Sequence, residues 1–262
     1  MPNLIKNENT SDPYLSRLTW VDYKNVVETK PLIILPVGSV EQHGPHLPLL
    51  TDTILSTKLA EKLARKLSSF IAEPLTYGAR SDLFSGGGEA FPGTCSLSPE
   101  TFLVLAENVL DELYLDGLRY FLILNGHFEN ASLLRESARR ITRKSPDAKV
   151  LFCNWWDVPD LQEIRSYYPE DFPGMDLEHA GFLETSLMLY LASDSVKDTS
   201  FFPEETVKPP GYEIYPEHLN GLTEKSGALS SAKAANAKAG EEICNLVIEG
   251  LIKVVGSVFG QH

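Results

Sequence analysis

The sequence predicts an α/β protein in which helices cover both faces of a mainly parallel central sheet, a three-layer α/β/α architecture in one domain of 262 residues. Short, continuously apolar segments alternate with longer segments whose leucines recur at helical spacing. Apolar strands without polar alternation are typical of a parallel sheet that is buried on both faces. The length suits one large α/β unit, and 43% hydrophobic residues are enough to fill its core.

Strands and helices alternate through the first 156 residues. The first strand ends where Pro36 and Gly38 interrupt it, and the helix that follows carries leucines at every fourth residue. Ser98 is the expected N-cap of the next helix, and Gly117 is its expected end. The strands are predicted at 31–39, 70–78, 119–127 and 148–156, and the helices at 51–67, 98–117, 129–144 and 229–255.

Residues 157–225 lose this pattern and are rich in proline and aromatic side chains. We expect ordered loops over the sheet edge there, with a helix at FLETSLMLYL, and no linker to a second domain. Four aromatic residues of these loops are expected to be exposed and available to an assembly: Tyr167, Tyr168, Phe201 and Phe202.

The composition argues against several classes of partner. A net charge of −13 opposes binding to nucleic acid and to anionic membranes. Cys95, Cys153 and Cys244 form no CxxC pair, so neither a disulfide framework nor a cysteine zinc site is expected. The N-terminus lacks the apolar core of a signal peptide, and no apolar run reaches membrane-spanning length. A reduced, cytoplasmic setting is therefore expected.

Side chains that bind metals follow two of the predicted strands. Glu41 and His43 come after the first strand, and His127 and Glu129 come after the third. In extended chain, residues i and i+2 point to the same side, so each pair can present two donors together. Asp52 lies at the start of the helix that follows the first loop. Because ligands bind beyond the carboxyl ends of the strands in such sheets, we expect these side chains to converge.

Two histidines and three carboxylates favour Zn²⁺ or Mn²⁺ over Ca²⁺, which prefers oxygen ligands alone. This number of ligands exceeds the usual three of an open catalytic zinc site and suits two ions about 3.5–4 Å apart that share a carboxylate and a water. Either pair alone would be read as an ordinary solvated loop. His46 is left open as a ligand, and a helix-capping or supporting role is favoured for it.

Four longer motifs together resemble the creatininase family of metal-dependent amidohydrolases. They are LPVGSVEQHGPHLPLLTD, SGGGEAFPGTCSLS, LNGHFENAS and DLEHAGFLETSLML, and they occur in the family's order. The resemblance covers most of the chain, from about residue 15 to 250, and is strongest to the creatinine-hydrolysing members. It implies a layered α/β/α fold, the metals Zn²⁺ and Mn²⁺, and a homohexamer.

The same resemblance implies how the ligands divide between two metals. Glu41 and His127 would hold one ion, His43 and Glu129 the other, and Asp52 would bridge them. Glu129 is expected to be a catalytic residue as well as a ligand.

His179, in DLEHAG, is the expected proton carrier between the attacking water and the leaving nitrogen. A histidine beside Glu178 could equally be a structural hydrogen-bonded pair, and it is the resemblance that places a catalytic histidine here. Glu184, five residues further on, is interpreted as structural because no ligand partner is left for it.

The resemblance also implies a substrate pocket. The glycine-rich stretch after the second strand would let the backbone approach a ligand, although alone it would also suit a surface loop. Tandem tryptophans at the end of the fourth strand would place one ring in the core and one at the site, where a flat wall suits a planar substrate. The expected substrate-binding residues are Ser85, Gly86, Gly87, Gly88, Phe128, Trp156, Met175 and Asp176.

Two of these positions depart from the creatinine-hydrolysing members. Phe128 takes the place of a tyrosine, and Met175 takes the place of a tryptophan on a flap over the substrate. Both changes fall in the pocket and leave the ligands intact. The chemistry is therefore better supported than the substrate.

The sequence predicts a two-metal hydrolase that acts on the C–N bond of a cyclic amide. Creatinine, opened to creatine by a metal-bridging hydroxide with His179 as proton shuttle, is the favoured reaction. The alternatives are the same chemistry on a formamide, a peptide terminus or a ring ketone, and a non-catalytic metal-binding assembly protein. A two-metal phosphoesterase would need Lys or Arg to hold phosphate, and the four motifs contain none.

Overall fold

A computed structural model of the chain describes residues 12–82, 88–168, 172–208 and 226–260. Within these residues one sheet has four strands, all parallel, in the order β2-β1-β3-β4. The register pairs Val37 with Asn125 and Asn125 with Asn154, so the three longer strands end side by side. The strands are β1 (Leu32–Val37), β2 (Phe70–Ile71), β3 (Tyr120–Asn125) and β4 (Lys149–Asn154).

Seven α-helices accompany the sheet in the described part of the chain. Their caps follow the local sequence: the Ser98 side chain accepts from the Thr101 N–H, and the Asn236 side chain accepts from the Ala239 N–H. The helices are α1 (Trp20–Thr29), α2 (Thr51–Leu67), α3 (Pro99–Leu115), α4 (Asn130–Lys144), α5 (Leu161–Arg165), α6 (Phe182–Leu191) and α7 (Ala237–Phe259).

The three-layer prediction is confirmed by how the strands divide their side chains. Leu32 and Ile34 belong to one apolar cluster, which is completed by residues of α2, α6 and α7. Ile33 and Leu35 belong to a second cluster, which is completed by residues of α3 and α4. Because successive strand residues point to opposite faces, a continuously apolar strand supplies both layers at once.

The structure corrects the length of two predicted elements. The second strand was expected at 70–78, but β2 ends at Ile71, shortly before Pro74, which has no N–H to donate to a neighbouring strand. The last helix was expected from residue 229, but α7 begins at Ala237, where Asn236 caps it. The preceding residues instead pair with loops, since the Leu229 N–H donates to the His179 carbonyl.

The loops after β4 contain more structure than their composition indicated. The helix expected at FLETSLMLYL is α6, and the short α5 is additional. The four loop aromatics expected to be exposed differ from one another. Phe201 is exposed, Phe202 is buried, and Tyr167 and Tyr168 are half-buried. The surface available to an assembly is therefore less aromatic than predicted. Among the described helices, none combines the length and hydropathy needed to cross a membrane.

Candidate metal centre

The loop after β1 is pinned at several points. The Glu41 N–H donates to the Leu49 carbonyl at 2.9 Å, and the Cys95 N–H donates to the Val40 carbonyl at 2.9 Å. The Nδ1 of His43 lies 3.0 Å from the Glu41 carbonyl oxygen, a hydrogen bond that leaves Nε2 facing inward. Glu41 and His43 are both buried, so the loop presents their donor atoms to the interior of the protein.

Asp52 lies between two histidines. One carboxylate oxygen is 2.9 Å from His43 Nε2, and the other is 3.1 Å from His127 Nδ1. Asp52 is held there by the first turn of α2, which packs tightly against two strand ends. A Cβ on Gly38 would meet the Thr53 nitrogen at 2.4 Å, and a Cβ on Gly126 would meet the Asp52 carbonyl oxygen at 2.5 Å. Only glycine allows this close approach.

A buried network of asparagine side chains fixes the turn that carries His127. The Asn125 amide donates to the His127 carbonyl at 2.6 Å and to the Asn154 side chain at 2.8 Å. The Asn130 amide donates to the Gly38 carbonyl at 2.9 Å. These bonds tie the carboxyl ends of β1, β3 and β4 together, so the position of His127 depends on all three strands.

Two carboxylates flank His127. Glu41 Oε2 lies 3.1 Å from His127 Nδ1, and Glu129 Oε2 lies 3.1 Å from His127 Nε2. The remaining oxygen of Glu41 accepts from the Ser81 hydroxyl, and the Asp82 N–H donates to Glu129 at 3.3 Å. Glu129 therefore lies beside His127, at the ring nitrogen opposite the one that faces Glu41.

Glu184 reaches the cluster from α6. Its Oε2 lies 3.8 Å from His43 Nε2 and accepts from the Ala180 N–H at 2.6 Å. In return, the Glu178 carboxylate accepts from the Leu183 N–H at 3.0 Å. This reciprocal capping of the helix start resembles a capping box, and it aims Glu184 at the site.

Three sets of side chains in the described part of the chain each bring their donor atoms within 4.8 Å of one another. One set contains Glu41 and His127, the pair predicted to hold one ion. In another set His43 occurs with Glu184, where Glu129 was expected. The role of Glu129 as a ligand stays a prediction. The groups are Glu41–Asp52–His127, His43–Asp52–Glu184 and Glu41–His43–His179.

The donor atoms suit divalent cations. His43 Nε2, Asp52 Oδ2 and His127 Nε2 are buried and make no hydrogen bond to the described residues, although oppositely charged groups surround them. Burial opposes the charged form of His43, but Asp52 and Glu184 outweigh it and raise the pKa of His43 to about 10. Burial also raises the pKa of Glu184 to about 8. Buried carboxylates held this close need cations between them, and protons fill that role in the metal-free chain.

His179 lies against the cluster through its ring, whose centroid is 4.4 Å from that of His43. Its Nε2 is 2.8 Å from the Gln42 carbonyl oxygen and 2.9 Å from the Gln42 side-chain nitrogen. Burial lowers the pKa of His179 to about 4. The imidazole is therefore neutral at neutral pH and fixed in place by Gln42.

A cleft of about 520 Å³ opens over the cluster. Phe128 and Trp156 form one wall, with ring centroids 6.5 Å apart and planes 20° apart, while Trp155 lies in the core as predicted. Met175 and Asp176 also line the cleft, as the sequence led us to expect. Gly88 is buried at the start of a short 3₁₀ turn, and Ser85, Gly86 and Gly87 lie outside the described residues.

His46 lies outside all three donor groups. Its Nε2 is 2.8 Å from the Thr185 hydroxyl on α6, and its ring is buried against Phe202. This contact braces the helix next to Glu184, which agrees with the supporting role favoured from the sequence.

The site contains three residues to which sequence reasoning gave no role in it. Glu184 was interpreted as structural, and Ser81 and Gln42 were not singled out. One signal was available for Glu184: it is the third residue of an apolar helix, the position from which a glutamate reaches back to cap the helix start. The sequence contains no comparable signal for Ser81.

The parallel sheet and the buried histidine–carboxylate cluster at its carboxyl edge define a metal-binding α/β protein. The model of the family described as creatininase, creatinine amidohydrolase, matches residues 16–255. The chain therefore belongs to the creatininase family.

Relatives from other organisms align with this chain over most of its length. The creatinine amidohydrolase of Pseudomonas putida is 34% identical over 253 residues, covering 94% of this chain and 97% of that protein. The mycofactocin precursor peptide peptidase of Mycolicibacterium smegmatis is 29% identical, covering 84% and 82%. The 3-dehydro-scyllo-inosose hydrolase of Thermotoga maritima is 26% identical, covering 96% and 85%.

Solved creatininase structures superpose closely on this fold. A crystal structure of creatinine amidohydrolase is 34% identical and matches with a TM-score of 0.91. The match covers 97% of this chain and 100% of the creatinine amidohydrolase chain. A mutant creatininase described as the Zn-Zn type matches with a TM-score of 0.91 at 33% identity, covering 96% and 100%. A creatininase described with Mn matches with a TM-score of 0.89 at 34% identity, covering 95% and 100%.

Proposed function

We propose that this protein is a two-metal amidohydrolase that opens creatinine to creatine. The observation that carries the proposal is the position of Asp52, whose two oxygens face two different histidines at the floor of a cleft. One carboxylate shared in this way suits two ions held side by side. The relatives with zinc and manganese support the choice of metal.

Each ion has a set of ligands in the proposed centre. Glu41 and His127 would hold one ion, His43 and Glu184 would hold the other, and Asp52 would contact both. Bound divalent ions at such a site would polarise the substrate carbonyl and lower the pKa of a water so that it attacks near neutral pH. The protein's own residues then have to bind the ring, exclude water and move one proton.

The proton passes through His179 in the proposed reaction. Water adds to the carbonyl carbon, the ring C–N bond breaks, and the nitrogen that leaves gains a proton. A neutral imidazole accepts the proton from the attacking water, and the protonated ring then gives it to the leaving nitrogen. Gln42 holds the ring during both transfers.

The cleft wall binds the substrate in this proposal. Phe128 and Trp156 offer apolar ring faces, and Asp176 offers a carboxylate at the cleft mouth. Glu129 lies at the cleft floor beside His127, where it can take part in proton transfer. Ser85, Gly86, Gly87 and Gly88 complete the proposed binding residues.

A second candidate keeps the chemistry and changes the substrate. Phe128 is 57% exposed, and Met175 is only half-buried, so the side of the cleft that they form is open. An open wall admits a bulkier molecule than creatinine, and two relatives are named for acting on a peptide and on an inosose. A homohexameric assembly, on the family resemblance, and a cytoplasmic setting, on the pattern of Cys95, Cys153 and Cys244, are also part of our proposal.

Creatine formation by the wild type and Met175→Trp, loaded with Mn²⁺ or Zn²⁺, tests the choice of substrate. Tryptophan would stack on a planar ring, an interaction worth about 0.5–1.5 kcal/mol, so we expect turnover to rise roughly threefold to tenfold. Adding Phe128→Tyr should raise it further. If neither protein opens creatinine while both hydrolyse another amide, the second candidate replaces the first.

A further inference from the structure

Ser81 contacts Glu41 and is not among the residues that line the cleft. Its side chain is 3% exposed, and its hydroxyl donates a hydrogen bond to Glu41 Oε1. The other oxygen of the same carboxylate, Oε2, lies 3.1 Å from His127 Nδ1. One oxygen of Glu41 thus contacts Ser81 while the other faces His127.

Ser81 is itself fixed by neighbouring chain segments. Its N–H donates to the Ser96 hydroxyl at 3.3 Å, and the Ala79 N–H donates to the Asn130 side chain at 2.8 Å. The next N–H along the chain, that of Asp82, donates to Glu129. Two successive residues thus hold the two carboxylates that flank His127.

The opposite side of the centre uses a different device. Glu184 is held by the backbone N–H of Ala180, which every substitution at position 180 except proline retains. The support of Glu41 is a single hydroxyl, which a substitution can delete. The two sides can therefore be perturbed separately.

We propose that Ser81 is a positioning residue for the metal ligand Glu41. It occupies Oε1, so that Oε2 is presented to the ion on the Glu41–Asp52–His127 side. Without the hydroxyl, Oε1 is a buried charged oxygen without this donor, and the carboxylate can turn away from the ion to find another partner. The inference rests on the proposed two-metal centre and is independent of its substrate.

The test measures metal affinity with a competing chelator, using Zn²⁺ and Mn²⁺ separately and no substrate. We expect Ser81→Ala to lower the affinity for the ion on the Glu41–Asp52–His127 side by about 10–100-fold, the range for residues that orient metal ligands. The affinity for the other ion should stay within about threefold of the wild-type value. Ser81→Cys, which keeps a weaker donor of similar size, should fall between wild type and Ser81→Ala. If the wild type binds only one ion, we expect Ser81→Ala to lower the affinity for that ion by the same factor.

Ser39→Ala is the matched control. Ser39 is buried two residues before Glu41, and its hydroxyl has no hydrogen-bond partner among the described residues. Ser39→Ala removes a hydroxyl oxygen from the same region as Ser81→Ala does, but it removes no contact to a metal-binding side chain. Its affinity for both ions should equal that of the wild type.

Two outcomes overturn the proposal. Unchanged affinity for both ions in folded Ser81→Ala, or an equal loss for both together with a lower melting temperature of the metal-free protein, would make Ser81 merely structural. Should Ser81→Ala not fold, Ser81→Cys decides in the same way. Failure of the wild type to open creatinine would contradict the proposed substrate and leave these comparisons intact.

Discussion

The two sides of the metal centre are built from different parts of the chain. Glu41 and His127 lie in loops that follow the adjacent strands β1 and β3, and the loop that carries Glu41 is held by hydrogen bonds to Leu49 and Cys95. Glu184 comes from α6 and faces His43 only because the helix start is held by Ala180 and braced through Thr185. Asp52 contributes to both sides.

The two sets of metal ligands are held in place by different kinds of contact. Strand register is fixed by many backbone hydrogen bonds, so the side of Glu41 and His127 rests on the sheet itself. The side of His43 and Glu184 rests on a few contacts between a loop and a helix start. Outside the ligands, we expect the second side to be sensitive to changes at the start of α6, and the first side to be sensitive to the loss of the Ser81 hydroxyl.

The largest effect should come from the residue that both sides share. Asp52→Ala should release both ions and reduce activity by more than about 10⁴-fold, because neither set of ligands is complete without it. The melting temperature should fall to that of chelator-treated wild type, since bound metal stabilises the folded chain. Metal analysis and thermal melts measure both.

Asp22→Ala is a control for Asp52, because Asp22 also lies in the first turn of a helix but is exposed. It should keep both ions. An Asp52→Ala protein that holds two ions with wild-type affinity would contradict the shared role.

His179→Ala should separate proton transfer from metal binding. We expect kcat to fall by about 10²–10⁴-fold, the usual range for a general acid–base residue. Both ions should remain, because each side has its own ligands without His179. Loss of an ion in this variant would instead make His179 a ligand, within the group it forms with Glu41 and His43.

Glu184→Gln and Glu129→Gln compare the two sides directly. Glu184→Gln should weaken one ion by about 10²-fold or more, since it loses a ligand and not merely an outer partner. Glu129→Gln should change ion affinity less than Glu184→Gln and should lower kcat. Chelator competition and steady-state kinetics measure the pair. The reverse order of affinities would restore the pairing of His43 with Glu129 inferred from the sequence.

The smallest expected effect is the change in metal affinity with each pH unit. Because the pKa of His43 is raised to about 10 in the metal-free chain, an ion must displace a proton at pH 7. Affinity should therefore rise with pH, about tenfold per unit for each proton released. Calorimetry in buffers of different ionisation enthalpy counts the protons, and His179→Ala should leave the count unchanged because His179 is already neutral.

The metal-free protein should show the opposite trend. The raised pKa of His43 contributes stability that is complete below its unfolded pKa, about 6.5, and is lost as the pH rises towards 10. The raised pKa of Glu184 acts in the same direction. Chemical unfolding of the metal-free chain at several pH values measures this, and stability that increases between pH 7 and 10 would contradict it.

Much of the fold could be predicted from local sequence. Helix α2 has the predicted bounds, because the leucine spacing and the loop before it mark both ends. The three long strands were found as continuous apolar runs. The short β2 was overestimated because Pro74 interrupts a run that is otherwise apolar, and the start of α7 was misplaced because residues 229–236 look helical but pair with loops.

The strands, their parallel arrangement and the donors that follow them could be predicted from the sequence, because those depend on periodicity and on neighbours in the chain. The packing of distant segments places Glu184 opposite His43, Glu129 beside His127 and Ser81 against Glu41. This could not be predicted, because a buried carboxylate takes whichever donor the packed neighbours supply. Ser81 and Glu41 are 40 residues apart, and no local pattern encodes their contact.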